Sequence, residues 1–577
     1  FGFLPGYSWI LVGVVLGGAV HDFVILASSV RRKGRSLAEI ARSELGPVVG
    51  VIAGISILFI VVVSLAGLGR VVVGALAESA WGVFTIGASI PLALLMGVHI
   101  YKVRRGSVRG IREASVFGVV VLLLCVVLGK DVGAGVLGPL LRVSEGQVTL
   151  AIGAYGVIAS VLTLWILLCP RDYLSSYLKI GTILALVAGI IVVNPLVEMP
   201  MLNDVVSSAH GAAVHVGAET FQPVVRGSLF PFVFITIACG AISGFHALVG
   251  SGTTPKMINV ESDCRMIGYG AMLMEGLVGI TALLAASALP PADYFAINTD
   301  PAIAVGAPSP GAPGVVEDAA QLRVLDDHDR ALLGDGTTVK LSKVLHLSNA
   351  GLAKLGFHVD ANEPNAAALP SADFARLGVR VQDLPELSAA TDEVTASRTG
   401  GAVSLAVGMA RVFSGLVGNK TLLAYWYHFA ILFEALFVLT TIDTGTRVAR
   451  FMMQELFARA PSKRLRAWGA SQSKTGAVIT SLVVVAAWSW LLLSGSIATI
   501  WPMFGIANQL LASVALVVAT TILLREAKKL RYALITFLPL LFVGTTTITA
   551  GVRSLHEIYW PQLDDPHTAV IGRAGDR

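Results

Sequence analysis

Charge is scarce in this sequence. Only 14% of its 577 residues are Asp, Glu, Lys or Arg, whereas 55% are hydrophobic and the mean hydropathy is +0.76. Soluble domains carry about 25% charged residues, so a water-soluble globular fold is excluded. Cysteine is scarce too. Cys125, Cys169, Cys239 and Cys264 lie in or beside apolar runs, widely spaced. They form no CxxC pair or Cys/His spacing motif, so neither a disulfide framework nor a resident metal is expected. HExxH and GxSxG are absent and the histidines are scattered, which leaves an intramembrane enzyme without its usual signs. No Met and no basic leader stands at the start, as expected for a piece of a longer protein. The net charge of +5 comes from basic residues in short loops, not from a basic stripe that would fit nucleic acid.

Apolar length is abundant instead. A bilayer-spanning helix needs about 20 apolar residues. Runs of this kind recur near 6–30, 47–69, 82–101, 114–137, 148–169, 174–197, 229–252 and 265–289. Others follow at 399–418, 422–443, 475–495, 497–524 and 532–551. The expectation is an all-α polytopic transmembrane bundle of about 12–13 spans. Sixty glycines suit close helix packing and supply places where a helix can break. No cofactor is expected. The partners read from the residues are the lipid bilayer and a small solute.

Orientation follows the Lys/Arg bias of short loops. The stretches 31–42, 102–112, 444–474 and 525–531 are the basic ones and should be cytoplasmic. Residues 291–398 differ, with 15 acidic and 8 basic residues. This net −7 predicts an acidic extracytoplasmic insert between a first helix set, 1–290, and a second, 399–577. Residues 341–357 within it read as weakly helical. With 291–398 outside and 444–474 inside, 399–418 and 422–443 cannot both span. The short, Gly-rich 399–418 is the candidate for a re-entrant segment.

The chain centres on 239–256, CGAISGFHALVGSGTTPK. An apolar run is interrupted there by Ser243, Gly244, His246, Ser251, Thr253 and Thr254. Irregular backbone at membrane depth is tolerated only where protein buries it or it lines a wet cavity, so these six are the candidate substrate-binding residues. A structural reading, a helix that simply ends with His246 bonded to a carbonyl, stands beside it. Ionisable groups within spans are costly and need a partner or a task. His21, Asp22, Glu275, Glu434 and Asp443 are therefore candidates for proton or ion coupling. The alternative for His21–Asp22 is a buried ion pair. DTGTR at 443–447 reads as a second break resembling GTTPK. His428 fits an interfacial aromatic belt, Arg171 a turn, and Asn508–Gln509 polar glue between helices.

Seven stretches, GGAVHDF, RRKGRSLAEIAR, SGFHALVGSGTTPK, MLMEGLVG, RTGGAVSLAVGMA, TIDTGTRVAR and WPMFGIANQLLA, occur in this order over nearly the whole chain. Together they resemble the carbon-starvation protein A family of bacterial inner-membrane transporters. The resemblance implies a multi-pass secondary transporter importing pyruvate or small peptides when carbon is scarce, coupled to H+. It also implies the inverted repeats of discontinuous helices found in amino acid–polyamine–cation transporters. Family members carry spans before the position of Phe1, and the insert is long for the family. Coupling to Na+ with another small organic solute, or a membrane nutrient sensor, are the other readings.

Overall fold

The computed structural model describes residues 2–163, 165–202, 229–289, 401–470, 472–494, 497–526 and 530–560. It also describes short pieces within 214–221, 294–297, 323–340 and 390–398. The helices of the first set are α1 (Phe3–Arg31), α2 (Leu37–Leu45), α3 (Pro47–Leu76), α4 (Ala80–Val103) and α5 (Val108–Ala134). Next come α6 (Glu145–Val161), α7 (Leu168–Val193), α8 (Leu229–Thr236), α9 (Ala238–Ala241), α10 (Gly244–Gly252) and α11 (Arg265–Ser287). The second set is α12 (Ala402–Val417), α13 (Leu423–Ala458), α14 (Lys474–Ser494), α15 (Ile497–Glu526) and α16 (Arg531–Ser554). Two short antiparallel pieces are the exception, β1 (Val214–Val216) with β2 (Glu219–Phe221), and β3 (Arg323–Asp326), β4 (Arg330–Leu332) and β5 (Thr338–Lys340). The chain is an all-α, multi-pass membrane protein.

Ten of these helices are long and apolar enough to cross a membrane among the described residues. Three expected spans fall short. The run at 148–169 becomes the 17-residue α6, which starts early at a reciprocal cap between Ser144 and Gln147. The run at 229–252 splits into α8, α9 and α10. The run at 399–418 becomes the 16-residue α12. Residues 341–357 lie outside the described residues.

Ion pairs fix the sidedness. Arg32 reaches Glu44 at 2.9 Å and Glu526 at 2.6 Å, Arg525 reaches Glu44 at 3.1 Å, and Arg459 reaches Glu39 at 2.9 Å. Three of the four basic stretches thus meet on one side, as the charge bias predicts. At the other end Lys130 pairs with Asp392 at 3.1 Å, and Arg398 donates to the Ala77 carbonyl just past α3. The C-terminal end of the insert therefore lies at the end of the bundle opposite the basic stretches. From there α12 begins, and near its end Gly415 packs against Val193, the last residue of α7. Both ends of α12 are at that same end, so it does not cross. That resolves the parity conflict in favour of the short segment.

The second expected break does not exist. Asp443–Arg447 lies inside α13, one continuous helix of 36 residues. The presumed loop 444–474 begins as helix down to Ala458. Gly and Thr signal turns in water, but in a membrane helix Gly permits close packing and Thr can bond back to its own helix. Thr440 and Thr441 on the same helix do so, donating to Leu436 and Phe437 carbonyls. α13 and α15 run through the interior, both packed on α3. α5 is peripheral, with Val116, Phe117, Val120, Leu124 and Val127 exposed as a lipid-facing stripe.

Candidate functional site

The break at 241–244 is real and is held from α15. Ile242 and Ser243 are extended (φ −153°, ψ 111° and φ −107°, ψ 117°) between α9 and α10. The first N–H groups of a helix have no partner within it, and Ser243 does not cap its own helix. Asn508 of α15 substitutes: its Oδ1 accepts from Phe245 N at 3.0 Å and from Ser243 Oγ at 3.2 Å. Gly244 makes this approach possible, because a Cβ there would lie 2.3 Å from the Asn508 carbonyl oxygen and 2.4 Å from Ala512 N. Gln509 Nε2 donates to the Phe234 carbonyl at 2.7 Å. The amide pair is helix glue, as read from the sequence. Replacing Asn508 with alanine strands the Phe245 N–H and is expected to lower stability by about 1–2 kcal/mol. Thermal unfolding in detergent measures this, and an unchanged midpoint would refute the capping role.

The break aims His246 between two carboxylates. Its Nδ1 lies 2.8 Å from Asp22 Oδ2 on α1, and its Nε2 lies 3.0 Å from Glu275 Oε2 on α11. Asp22 also accepts from His21 Nδ1, its Oδ1 being 2.7 Å away. An imidazole can donate to both neighbours only when each ring nitrogen carries a proton. Cys239 adds its Sγ, 3.4 Å from Ser243 Oγ and 3.8 Å from Glu275 Oε1. His21 and Asp22 are buried, whereas the His246 and Glu275 side chains are 26% and 24% exposed. Three helices far apart in sequence thus meet in one hydrogen-bonded chain with an accessible end. α1 is locally a π-helix at Val14–Gly18, just ahead of His21, a distortion frequent at functional sites.

Cys239, His246 and Glu275 place donor atoms within 4.8 Å of one another, a cluster that spacing along the chain did not show. Both imidazole nitrogens already face carboxylates, so each has a partner without any ion. The remaining candidates at the break are engaged locally. Ser251 Oγ donates to the Ala247 carbonyl at 2.6 Å and accepts from Leu37 N at 3.1 Å, tying α10 to α2. Thr253 is buried at the end of α10, and Thr254 starts a single turn leading to Lys256, whose Nζ lies 4.9 Å from the Phe451 ring.

Asp443 sits in a different cluster. Its Oδ2 accepts from Arg171 Nη1 at 2.9 Å and from Tyr155 OH at 2.6 Å, and Arg171 Nη1 also donates to Tyr155 OH. Arg447 of α13 donates to the carbonyls of Ala159 and Leu162, closing the end of α6. Arg171 is 1% exposed. The turn expected there is instead the buried start of α7. His428, near the start of α13, is 4% exposed and stacked on Trp81 at 3.8 Å. Glu434 joins neither cluster, and its Oε2 is buried without a hydrogen-bond partner among the described residues. Sequence reading missed Tyr155 and Cys239. Tyr155, between glycines in GAYG, was the visible signal of a close helix contact.

Comparison with known proteins matches this architecture. The profile of carbon starvation protein CstA covers residues 1–327 and 344–550, leaving out a stretch within the insert. The peptide transporter CstA of Bacillus subtilis (strain 168) is 39% identical over 561 residues, 97% of this chain and 78% of the relative. The peptide transporter CstA of Mycobacterium tuberculosis (strain ATCC 25618 / H37Rv) is 41% identical over 588 residues, 100% of this chain and 68% of its own. The pyruvate/proton symporter BtsT of Escherichia coli (strain K12) is 38% identical over 562 residues, 95% of this chain and 70% of its own. The chain belongs to the carbon starvation protein CstA family.

Proposed function

We propose that this inner-membrane protein imports pyruvate or short peptides when carbon is scarce, driven by protons that pass through Asp22, His246 and Glu275. The observation that carries this reading is His246 on a broken helix, bonded to one carboxylate from α1 and another from α11. A proton added to or removed from such a set changes which helices it holds together, and so can couple charge movement to helix movement. His21 extends the chain by one step. Ser243, Gly244 and His246 form the wall of the solute pathway at the break, with Ser251, Thr253 and Thr254 towards its cytoplasmic end. Related proteins named as peptide transporters and as a pyruvate/proton symporter support both the solute class and the ion. Asp443 and Glu434 lie apart from the relay and serve other tasks. The acidic insert 291–398 joins the two helix sets on the outer side.

The test is uptake into proteoliposomes holding the purified full chain. Labelled pyruvate and alanyl-alanine are offered under an imposed inward pH gradient, then under an equal Na+ gradient at uniform pH. Accumulation is expected with the pH gradient and its collapse with a protonophore. Accumulation that follows Na+ and ignores pH would refute the proton assignment.

A further inference from the structure

The Arg171 cluster holds more polar capacity than its own contacts use. Arg171 Nη1 is committed to Asp443 and Tyr155. Its Nε and Nη2 have no hydrogen-bond partner among the described residues, and neither do Asp443 Oδ1 and Thr446 Oγ1. Buried donors left so are costly, and two of them sit on one guanidinium. Nε and Nη2 are also the two donors that form the side-on fork of a guanidinium, the geometry that grips a carboxylate with two parallel bonds.

Charge bookkeeping agrees. Arg171, Lys179 and Arg447 lie within electrostatic reach of Asp172 and Asp443. Three cations face two carboxylates, so one positive charge is unmatched at membrane depth, where unpaired charge is expensive. A monoanion would balance it. α13 also touches the broken segment, on the face turned away from Asp443. A Cβ on Gly445, between Asp443 and Thr446 on α13, would lie 2.6 Å from Phe245 Cζ, and Phe245 precedes His246.

We infer that Arg171 is the recognition point for a substrate carboxylate, which its Nε and Nη2 take side-on between α6, α7 and α13, next to the Thr446 hydroxyl. Asp443 and Tyr155 are positioning residues that hold the guanidinium by Nη1 and leave the fork open. The inference rests on the import reading for the kind of solute, since pyruvate and free peptides share this group. The fork itself is independent of the coupling ion.

Equilibrium binding to the full-length protein in detergent tests it, with pyruvate against pyruvamide and alanyl-alanine against its C-terminal amide. A site built around a charged hydrogen bond rejects the analogue lacking it strongly, so the wild type should favour an acid over its amide by at least roughly 100-fold. Arg171→Lys keeps the charge and the Asp443 pair but lacks the fork, and should reduce that preference to below about 10-fold. The neutral double variant Arg171→Gln with Asp443→Asn should lose it while remaining folded. A purely structural role would alter yield without altering the acid-to-amide ratio. No acid preference in the wild type, or full preference in Arg171→Lys, overturns the assignment. Uptake on the same preparations separates the two proposals: acid preference without pH-driven uptake refutes coupling and leaves the carboxylate site standing.

Discussion

Alanine at His246 is expected to reduce pH-driven uptake to background, a loss of at least about 100-fold in a step that depends on one proton-carrying group. The reason is geometric. Asp22 and Glu275 approach opposite ring nitrogens of His246 at 2.8 and 3.0 Å, and no other described cation lies between them. Removing the imidazole cuts the chain and leaves two carboxylates facing each other across its space. The fold should persist, because the break is capped by Asn508 and not by His246. Paired measurement of gradient-driven uptake and thermal unfolding in detergent therefore distinguishes loss of coupling from loss of fold. If the variant still concentrates solute under a pH gradient, the relay is not the proton path.

Asp443 is expected to give the largest stability effect of any single substitution at either cluster. Asp443→Ala leaves Arg171 at 1% exposure with an uncompensated charge, and breaking a buried pair from one side costs about 3–5 kcal/mol. Replacing both members by polar neutral groups removes the charge together with its counter-charge. Arg171→Gln with Asp443→Asn should consequently recover much of the loss, since neutralising a whole buried pair is often nearly free. Thermal unfolding in detergent of the wild type, both single variants and the double closes the cycle. Additive losses in the double variant would show that the two residues are not energetically coupled.

The membrane class, the boundaries of most spans and the three residues that meet at the break were legible in the sequence. Each was a local exception: an acid or a histidine within an apolar run must be accommodated, so Asp22, His246 and Glu275 announced themselves one by one. What a linear reading could not provide was their meeting, because packing alone brings positions 22, 246 and 275 together. Asp443–Arg447 was misread for a related reason. Gly445 looked like a helix breaker, yet it is where Phe245 and Leu65 press against α13, and the helix runs straight through. Arg171 was read as fixing a turn at a helix start. Proline is tolerated in the first helical turn, and Arg171 belongs to α7. Counting sides showed that one of two segments could not cross, and length and glycine content singled out α12.

The length of α13 has a mechanical consequence. Its 36 residues run about 54 Å at 1.5 Å per residue, well beyond a hydrocarbon core of about 30 Å. It is anchored at one end by Trp81, stacked on His428, and at the other by Glu39, paired with Arg459. A rod pinned at both ends is a poor moving part. The nine residues of α10, free of helical continuity above Gly244, are the better one. Gly445 then serves as a bearing, a smooth spot on a fixed post over which the Phe245 ring can roll. Opening to one side and closing to the other becomes a small swivel of a short helix, with the post standing still.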